Sequence, residues 1–396
     1  MLIRHTFLKF LIISTALCHL SLSAKDLEFS GYARVIGGYL DEDNVDYKGY
    51  DDSLSFEPSS LIALQAEYKF SEKWSGTTQL IARADRSKDS GIEWLYLTYQ
   101  ATDNLQIKFG KLRAPFFSMS DYTDVGFAYP WINLPQQVYD NFLFRTFEGA
   151  DLIYKFTNSN FEASIEAYIG QEDGDVNFSN TPTGFTARNL RGLIGKINKN
   201  NFELRLAHYE GNLSLNITEI HQFQRYLSDL NFGRSADSLS TKGVAKVEQI
   251  GIVYDNLDYF FRSEWVNIET DLDFIPEIQS YYVTAGFNYA PFTFHITFAD
   301  SDGDSKTPVQ EIPVGFDPNL DQLAQAYNSI FLDAAATDMQ SWTLGARWDV
   351  LSNLALKVEY SAIEEDNGSN SFFDFDENTT FDGKSNLYLV GLEWVF

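Results

Sequence analysis

The sequence has very little cysteine, methionine and proline, and no long apolar run beyond its N-terminus. It contains one Cys, three Met and ten Pro in 396 residues. Past residue 24 no stretch of about 20 consecutive apolar residues occurs, which excludes helical membrane spans. The single cysteine is Cys18, so the chain after residue 24 has no cysteine with which to form a disulfide.

Basic residues are also scarce. There are 29 Lys and Arg against 56 Asp and Glu, a formal net charge of -27. Nucleic acid binding requires a basic surface to neutralise phosphates, so this balance excludes nucleic acid as a partner.

Histidine is rare, and the motifs of common enzymes are missing. After residue 24 only His208, His221 and His295 occur, and none has a serine or carboxylate at a catalytic spacing. The sequence contains no HExxH motif and no glycine-rich phosphate loop. We therefore predict that the protein is not an enzyme and has no cofactor, apart from the calcium ion considered below.

Aromatic residues, by contrast, are abundant, with 33 Phe, 22 Tyr and 7 Trp. Many lie in segments of about ten residues in which apolar and polar side chains alternate. In residues 61–70, Ile62, Leu64 and Tyr68 share one face, while Gln65 and Glu67 share the other. A lipid-facing band with aromatic girdles and a polar interior requires this pattern, so it favours a transmembrane β-barrel.

The alternating segments predict sixteen antiparallel strands and an all-β fold. Their predicted bounds are 27–40, 58–70, 74–84, 92–101, 105–112, 149–157, 161–170, 188–198, 202–210, 244–255, 258–269, 279–290, 292–300, 339–349, 353–364 and 384–396. Short turns alternate with longer connections, which places both termini at the periplasmic rim of a barrel. A secreted soluble β-protein is the alternative fold, since its strands also alternate.

The last strand ends the chain on an aromatic residue. Its apolar side chains share one face: Tyr388, Val390, Leu392, Trp394 and Phe396. A barrel must close on its final strand and leave no edge. The segment resembles the C-terminal insertion signal of Gram-negative outer-membrane barrels, which implies the barrel-assembly machinery as a partner.

The N-terminus predicts a secretory signal peptide spanning residues 1–24. A basic start is followed by the apolar stretch 10–17 and by small residues up to Ala24. Lipidation of Cys18 is the alternative, but Leu17 occupies the position where a small residue is expected. Residues 25–396 would then form a single barrel domain.

Residues 113–148 form a connection that is too aromatic for a solvated tail, and burial inside the barrel would give its apolar groups something to pack on. Gly110-Lys111-Leu112-Arg113 and the stretch 121–131 resemble sixteen-stranded Gram-negative porins, most closely those of marine gammaproteobacteria. In that family the third loop folds inward and narrows the pore. The acidic PEFGG-type stretch of enterobacterial loops is missing here. The resemblance implies passive diffusion of small hydrophilic solutes and ions, a homotrimer, and contact with outer-membrane lipid and lipopolysaccharide.

A pore constriction needs opposed charges, because a transverse field orients and filters solutes. The candidates on the loop are Asp121, Asp124, Asp140 and Glu148. The candidates on the wall and at the start of the loop are Arg34, Lys69, Arg83, Lys108 and Arg113. Alternatively, each is a solvated lumen residue paired with a neighbouring acid.

One acidic stretch has the spacing of a calcium loop. Asp300, Asp302, Asp304 and Glu311 match ligand positions 1, 3, 5 and 12. Ser305 replaces the glycine expected at position six, and the flanks are predicted strands rather than helices. A calcium ion here would bridge acidic loops or lipopolysaccharide phosphates.

Three functions remain open. The inward acids nearly match the inward bases, which favours a general diffusion porin. A substrate-selective channel for anions, sugars or carboxylates is the first alternative, and a non-conducting structural or adhesive barrel is the second.

Overall fold

The described residues of this computed structural model form a closed barrel of sixteen antiparallel strands. They are residues 26–140, 143–178, 181–333, 338–365, 372–375 and 379–396, so the predicted signal peptide lies outside them. The final strand pairs with both the first strand and the fifteenth. The barrel strands are β1 Leu27–Leu40, β2 Leu61–Lys69, β3 Trp74–Arg83, β4 Gly91–Thr102, β5 Leu105–Arg113, β6 Thr146–Thr157, β7 Glu162–Phe178, β8 Thr181–Lys199, β9 Phe202–Leu215, β10 Lys242–Asp255, β11 Tyr259–Thr270, β12 Glu277–Tyr289, β13 Phe292–Asp304, β14 Met339–Leu351, β15 Leu354–Glu365 and β16 Lys384–Val395.

Alternation along each strand separates an apolar outer face from a buried inner face. On β9, Phe202, Leu204 and Leu206 are exposed, whereas Arg205 and Tyr209 are buried. Successive side chains of a strand point to opposite faces, so the period of two read from the sequence becomes the two faces of the wall. The predicted all-β barrel and its sixteen strands are confirmed.

The β7–β8 hairpin is longer than predicted. The expected bounds were 161–170 and 188–198, but the strands remain paired up to Phe178 and Thr181. The pairing shifts register after Gly170, so the simple alternation used for prediction breaks there. This hairpin replaces the long loop expected between residues 170 and 188.

Four α-helices in the described parts of the chain were not predicted: α1 Gln136–Tyr139, α2 Thr218–Asp229, α3 Gly233–Asp237 and α4 Pro318–Asp333. They lie in connections at the long-loop end of the barrel. Leu227 of α2 and Tyr327 of α4 belong to one buried cluster that also contains Trp131. Among the described residues, no helix combines the length and apolar character needed to span a membrane.

The first and last long connections form a small sheet of their own. Val45–Tyr47 pairs with Phe373–Phe375. This sheet packs in a second buried cluster with Ile36 of β1, Leu389 of β16 and Ile132. The cluster joins both long connections to the seam where the barrel closes.

Candidate functional site

The site is built around the β5–β6 loop, residues 114–145. Its two ends are adjacent, since the Ala114 amide donates to the Arg145 carbonyl at 2.9 Å. Between them, Trp131 is almost fully buried and donates its indole N–H to Thr297 Oγ1 of β13 at 2.8 Å. Thr297 lies on the buried face of β13, so the loop packs against the inner face of the wall.

Two buried carboxylates of the wall accept hydrogen bonds from the loop. Glu264 of β11 accepts from the Ser118 amide at 3.0 Å and the Tyr139 hydroxyl at 2.8 Å. Glu359 of β15 accepts from the Ile132 amide at 2.7 Å. Burying a carboxylate without hydrogen-bond partners would be unfavourable. These bonds therefore hold the loop in place and also supply the hydrogen-bond partners that the buried carboxylates of the wall need.

Basic side chains on the closing strands hold the middle of the loop. Lys357 of β15 is fully buried and donates to the carbonyls of Gly126, Tyr129 and Trp131 at 2.7, 2.8 and 2.6 Å. Its ammonium also pairs with Glu393 of β16 at 2.5 Å. Arg34 of β1 pairs with Glu393 at 3.2 Å and donates to the Ile132 carbonyl.

Gly126 lies against this buried ion pair. A Cβ built at residue 126 would lie 2.1 Å from Glu393 Oε1, closer than real Cβ contacts come. Glycine therefore lets the loop backbone approach the Lys357–Glu393–Arg34 group, and a larger residue would force one of them to move.

Three guanidinium groups surround one loop carboxylate. Asp124 lies 3.2 Å from Arg113, 3.4 Å from Arg145 and 3.6 Å from Arg83. Glu93 of β4 completes this arginine cluster, at 2.8 Å from Arg113 and 3.1 Å from Arg83. Three positive charges face two negative ones, which leaves the cluster with a net positive charge.

The electrostatics of Asp124 follow from this packing. Burial by itself would raise the pKa of the carboxyl, but Arg113, Arg145 and Arg83 outweigh it and hold the pKa at about 2. Arg145 has 48 % of its side chain exposed, whereas Asp124 has 9 %. The cluster therefore presents a guanidinium, rather than its carboxylate, to the open space.

That open space is a cavity of about 930 Å³ between the loop and the first connections of the chain. Asp140 of the loop lies 3.6 Å from Lys48 and lines it. Its charged lining carries both signs: Arg34, Asp46, Lys48, Glu57, Arg83, Asp85, Lys88, Asp124, Asp140, Arg145 and Asp374. Polar solutes that enter this mouth of the barrel therefore meet opposed charges.

The structure brings some of the predicted constriction residues together. Arg83, Arg113 and Asp124 are in direct contact, and Arg34 and Asp140 line the same cavity. Asp121 lies elsewhere, in electrostatic range of Asp151 and Glu166. Lys108 is close to the same two acids and lies 5.9 Å from the Tyr96 ring.

Two of the predicted residues lie away from the loop. Lys69 is at the short-turn end of β2, where it pairs with Glu28 at 2.6 Å and is half exposed. Glu148 is on the outer face of β6 with the exposed Leu152 and Tyr154, because this strand begins at Thr146 rather than at residue 149. The expected position of Glu148 in the lumen is corrected accordingly.

Sequence reasoning missed several residues of the site. Arg145 precedes the predicted start of β6 and was treated as plain loop. The pairing of β3 with β4 shifts register beside Glu93, so strict alternation along β4 does not predict that the Glu93 side chain points inward. Glu264, Glu359 and Lys357 follow the inward alternation of their strands, but only the path of the loop reveals their contacts with it.

The terminal strand has the arrangement expected of it. Tyr388, Val390, Leu392 and Phe396 are exposed on the outer face, and Trp394 is partly exposed. The backbones of Phe396 and Gly31 exchange two hydrogen bonds of 2.8 and 2.9 Å. The barrel therefore closes on its last residue.

The segment expected to form a calcium loop is extended instead. Strand β13 continues through Asp304, so Asp300, Asp302 and Asp304 are spread along one strand face rather than wrapped around a point. Glu311 accepts hydrogen bonds from the amides of Arg234 and Ser235 at α3. Among the described residues, no group of three or more His, Cys, Asp or Glu could hold a metal ion.

Solved structures with the same architecture include several outer-membrane proteins. DcaP, an outer membrane channel of Acinetobacter baumannii, matches with a TM-score of 0.56 and 14 % identity, covering 94 % of this chain and 99 % of that one. An anion-selective porin from Comamonas acidovorans matches with a TM-score of 0.55 and 10 % identity, covering 93 % and 99 %. OmpT, an outer membrane protein of Vibrio cholerae, was solved in a trimer form and matches with a TM-score of 0.52 and 12 % identity, covering 93 % and 99 %. No family model and no curated protein sequence matches the chain.

Proposed function

We propose that the protein is an outer-membrane porin through which small hydrophilic solutes and ions diffuse passively. The observation that carries the proposal is the β5–β6 loop, which buried charged and polar side chains anchor to the inner face of β1, β11, β13 and β15. A loop held in this way narrows the interior of the barrel and leaves a charged passage beside it. The fold shared with outer-membrane channels supports the same conclusion.

The exposed apolar faces of the strands are suited to lipid. Lipopolysaccharide would surround the long-loop end, and the terminal strand would be recognised by the barrel-assembly machinery. The trimer form of the Vibrio cholerae protein supports a homotrimer here as well. In this function the protein transfers no chemical group, so it acts as a channel rather than an enzyme.

The passage filters solutes by size and charge. Asp140 faces Lys48, and Arg145 projects from the arginine cluster into the same cavity. Opposed charges across a narrow hydrated gap set up a transverse field, which orients dipolar solutes as they pass. The channel discriminates only modestly between cationic and anionic solutes, because side chains of both charges line the cavity.

Excising the loop tests the proposal directly. Its ends are hydrogen-bonded to each other, so an Asn-Gly turn can replace residues 116–143 without breaking the β5–β6 pairing. We expect a several-fold rise in single-channel conductance in planar bilayers and faster sugar uptake into liposomes. Asp121→Asn, an exposed change in the same loop, is the control for altered charge without altered width. Unchanged conductance in a correctly assembled, heat-modifiable barrel would refute the constriction.

An anion-selective channel is the second candidate function. The net positive arginine cluster favours it, since Arg145 is the member of that cluster most open to the cavity. The reversal potential in a salt gradient distinguishes the two functions, because a general porin shows only weak selectivity, whereas an anion channel excludes cations strongly.

A further inference from the structure

Charged side chains on the outer face are concentrated on one side of the barrel. Counted from the short-turn end of their strands, Arg191 of β8, Glu210 of β9 and Glu248 of β10 lie six to eight residues up. Six to nine residues up, the strands nearer the closing seam carry the aromatic residues Phe298 of β13, Trp342 of β14 and Tyr388 of β16, along with Asp300 of β13. Six to eight strand residues correspond to roughly 15 to 20 Å of height in a tilted barrel.

If the barrel is inserted as proposed above, these charges lie at the height of the outer leaflet. Charged residues on the lipid face are unfavourable near the middle of the bilayer and become tolerable only towards its surface. Their concentration on neighbouring strands therefore indicates that something other than hydrocarbon covers this side.

The charged side chains surround a concave surface, which we call the polar notch. It is an outward-facing cavity of about 900 Å³ between β6 and β10. Gly149, Ala150, Gly170 and Gly211 line it and leave room for close approach. Within it Arg191 pairs with Glu210, and His208 pairs with Glu248 at 2.6 Å just below. The neighbouring Ile169 is 67 % exposed.

The charges that line the notch balance, with Arg188 and Arg191 against Glu148 and Glu210. Around its edges lie the basic Lys111 and Lys246 and the acidic Asp173, Glu248 and Glu269. Phosphorylated lipid headgroups attract surfaces with an excess of basic residues. A neutral surface with both signs and adjacent apolar groups fits another protein better.

The positions of the charged residues indicate that the protein covering the notch is a second copy of this chain. Glu148 on β6 and Lys246 on β10 flank the notch on opposite sides, each eight residues above the aromatic end of its strand at Phe156 or Tyr254. A two-fold axis along the membrane normal, passing near β8, would place Glu148 of each copy opposite Lys246 of the other.

We propose that the polar notch is a two-fold contact between two copies of this chain in the membrane. The contact rests on the proposed membrane insertion but not on the channel activity. It pairs two chains regardless of any three-fold assembly built on another face of the barrel.

Charge reversal tests the contact. Glu148 and Lys246 lie on strands separated by three others, roughly 19 Å apart, so they cannot pair within one chain. Glu148→Lys and Lys246→Glu should each weaken the association of copies roughly tenfold, because like charges then face each other. The double variant should restore association, since each reversed charge regains an opposite partner on the other copy. The like charges that the reversals place beside Lys111, Glu210 and Glu269 of the same chain remain in the double variant, so they cannot account for the restoration. Association is measured by photobleaching of labelled protein in bilayers, with Lys384→Glu on the opposite wall as the control.

Restoration by the double variant supports a two-fold contact, and failure to restore overturns it. Equal association of all variants also overturns it. Loss of co-purifying lipid phosphate from Lys246→Glu, with association unchanged, identifies lipid as the occupant and rejects the second copy. Single-channel conductance is recorded for every variant, so failure of the contact is distinguished from failure of the porin function.

Discussion

Asp124 is one of the two acids that partly neutralise the arginine cluster, and its titration should be detectable in the channel current. Its pKa is held at about 2, below the usual 3.8, so its ion pairs contribute fully to the stability of the folded loop above pH 3.8. That contribution is lost as the pH falls through 2. We expect the channel current of the natural protein to become noisier between about pH 4 and pH 2 as the loop loosens.

Asp124→Asn removes the titrating group, so this variant should be noisy already at pH 6 and lack the acid transition. Recordings of single-channel current noise across the pH range provide the measurement. A shared pH profile for the variant and the natural protein would contradict the role given to Asp124.

Gly126 is the second residue whose substitution should be informative. In Gly126→Ala the new methyl group meets Glu393 at 2.1 Å, so either the loop or the buried ion pair must shift. Overpacking of this kind costs about 1–3 kcal/mol. We expect altered conductance and a lower unfolding temperature in detergent. Gly195→Ala is the matched control, because a Cβ there meets nothing within 4 Å. Equal behaviour of the two variants would show that the close approach is unimportant.

Residue positions could be predicted only where alternation is regular and the strand start is known. Arg83, Arg113 and Asp124 were found because the first two lie at the long-loop ends of β3 and β5 and the third lies in the loop. Glu148 was misplaced by an error of three residues in the start of β6. Lys69 points inward, but alternation alone does not give the height at which a side chain meets the loop.

At the scale of elements, the terminal strand leads to a prediction about assembly. Deleting Phe396 removes an outward aromatic and two backbone hydrogen bonds to Gly31 at the closing seam. We expect a markedly lower yield of heat-modifiable barrel in membranes, with a smaller effect on barrel refolded in detergent. Phe292→Ala, at another exposed aromatic of the short-turn rim, is the control. Normal assembly of the deleted protein would contradict a recognition role for the final strand.

Strands were predictable and helices were not, for a physical reason. A wall between lipid and water imposes a period of two on every strand, so the sequence repeats the same signal sixteen times. The helices lie in connections, and Leu227 of α2 belongs to the same buried cluster as Trp131 of the β5–β6 loop. The packing partners of their apolar side chains depend on the paths of several connections, which the strand pattern does not give.

At the scale of the whole molecule, the acidic balance predicts an effect of salt. The net charge of -27 includes acids at the mouth such as Asp46, Asp85 and Asp374. These carboxylates concentrate cations when the Debye length is about 10 Å at 0.1 M salt, and lose influence when it is about 3 Å at 1 M. We expect a modest cation preference at 0.1 M that fades at 1 M, measured as reversal potentials. Anion selectivity at 0.1 M would show that the arginine cluster outweighs the mouth.

The anchors of the β5–β6 loop also impose an order of events on the maturing chain. Residues 114–145 are synthesised early, but Lys357, Glu359 and Glu393, which hold them, follow more than 200 positions later. The loop can therefore reach its final place only after β15 and β16 have arrived. A nascent barrel still lacking its last two strands would have a wide, unobstructed interior, and its closure would bring the narrowing of the passage with it.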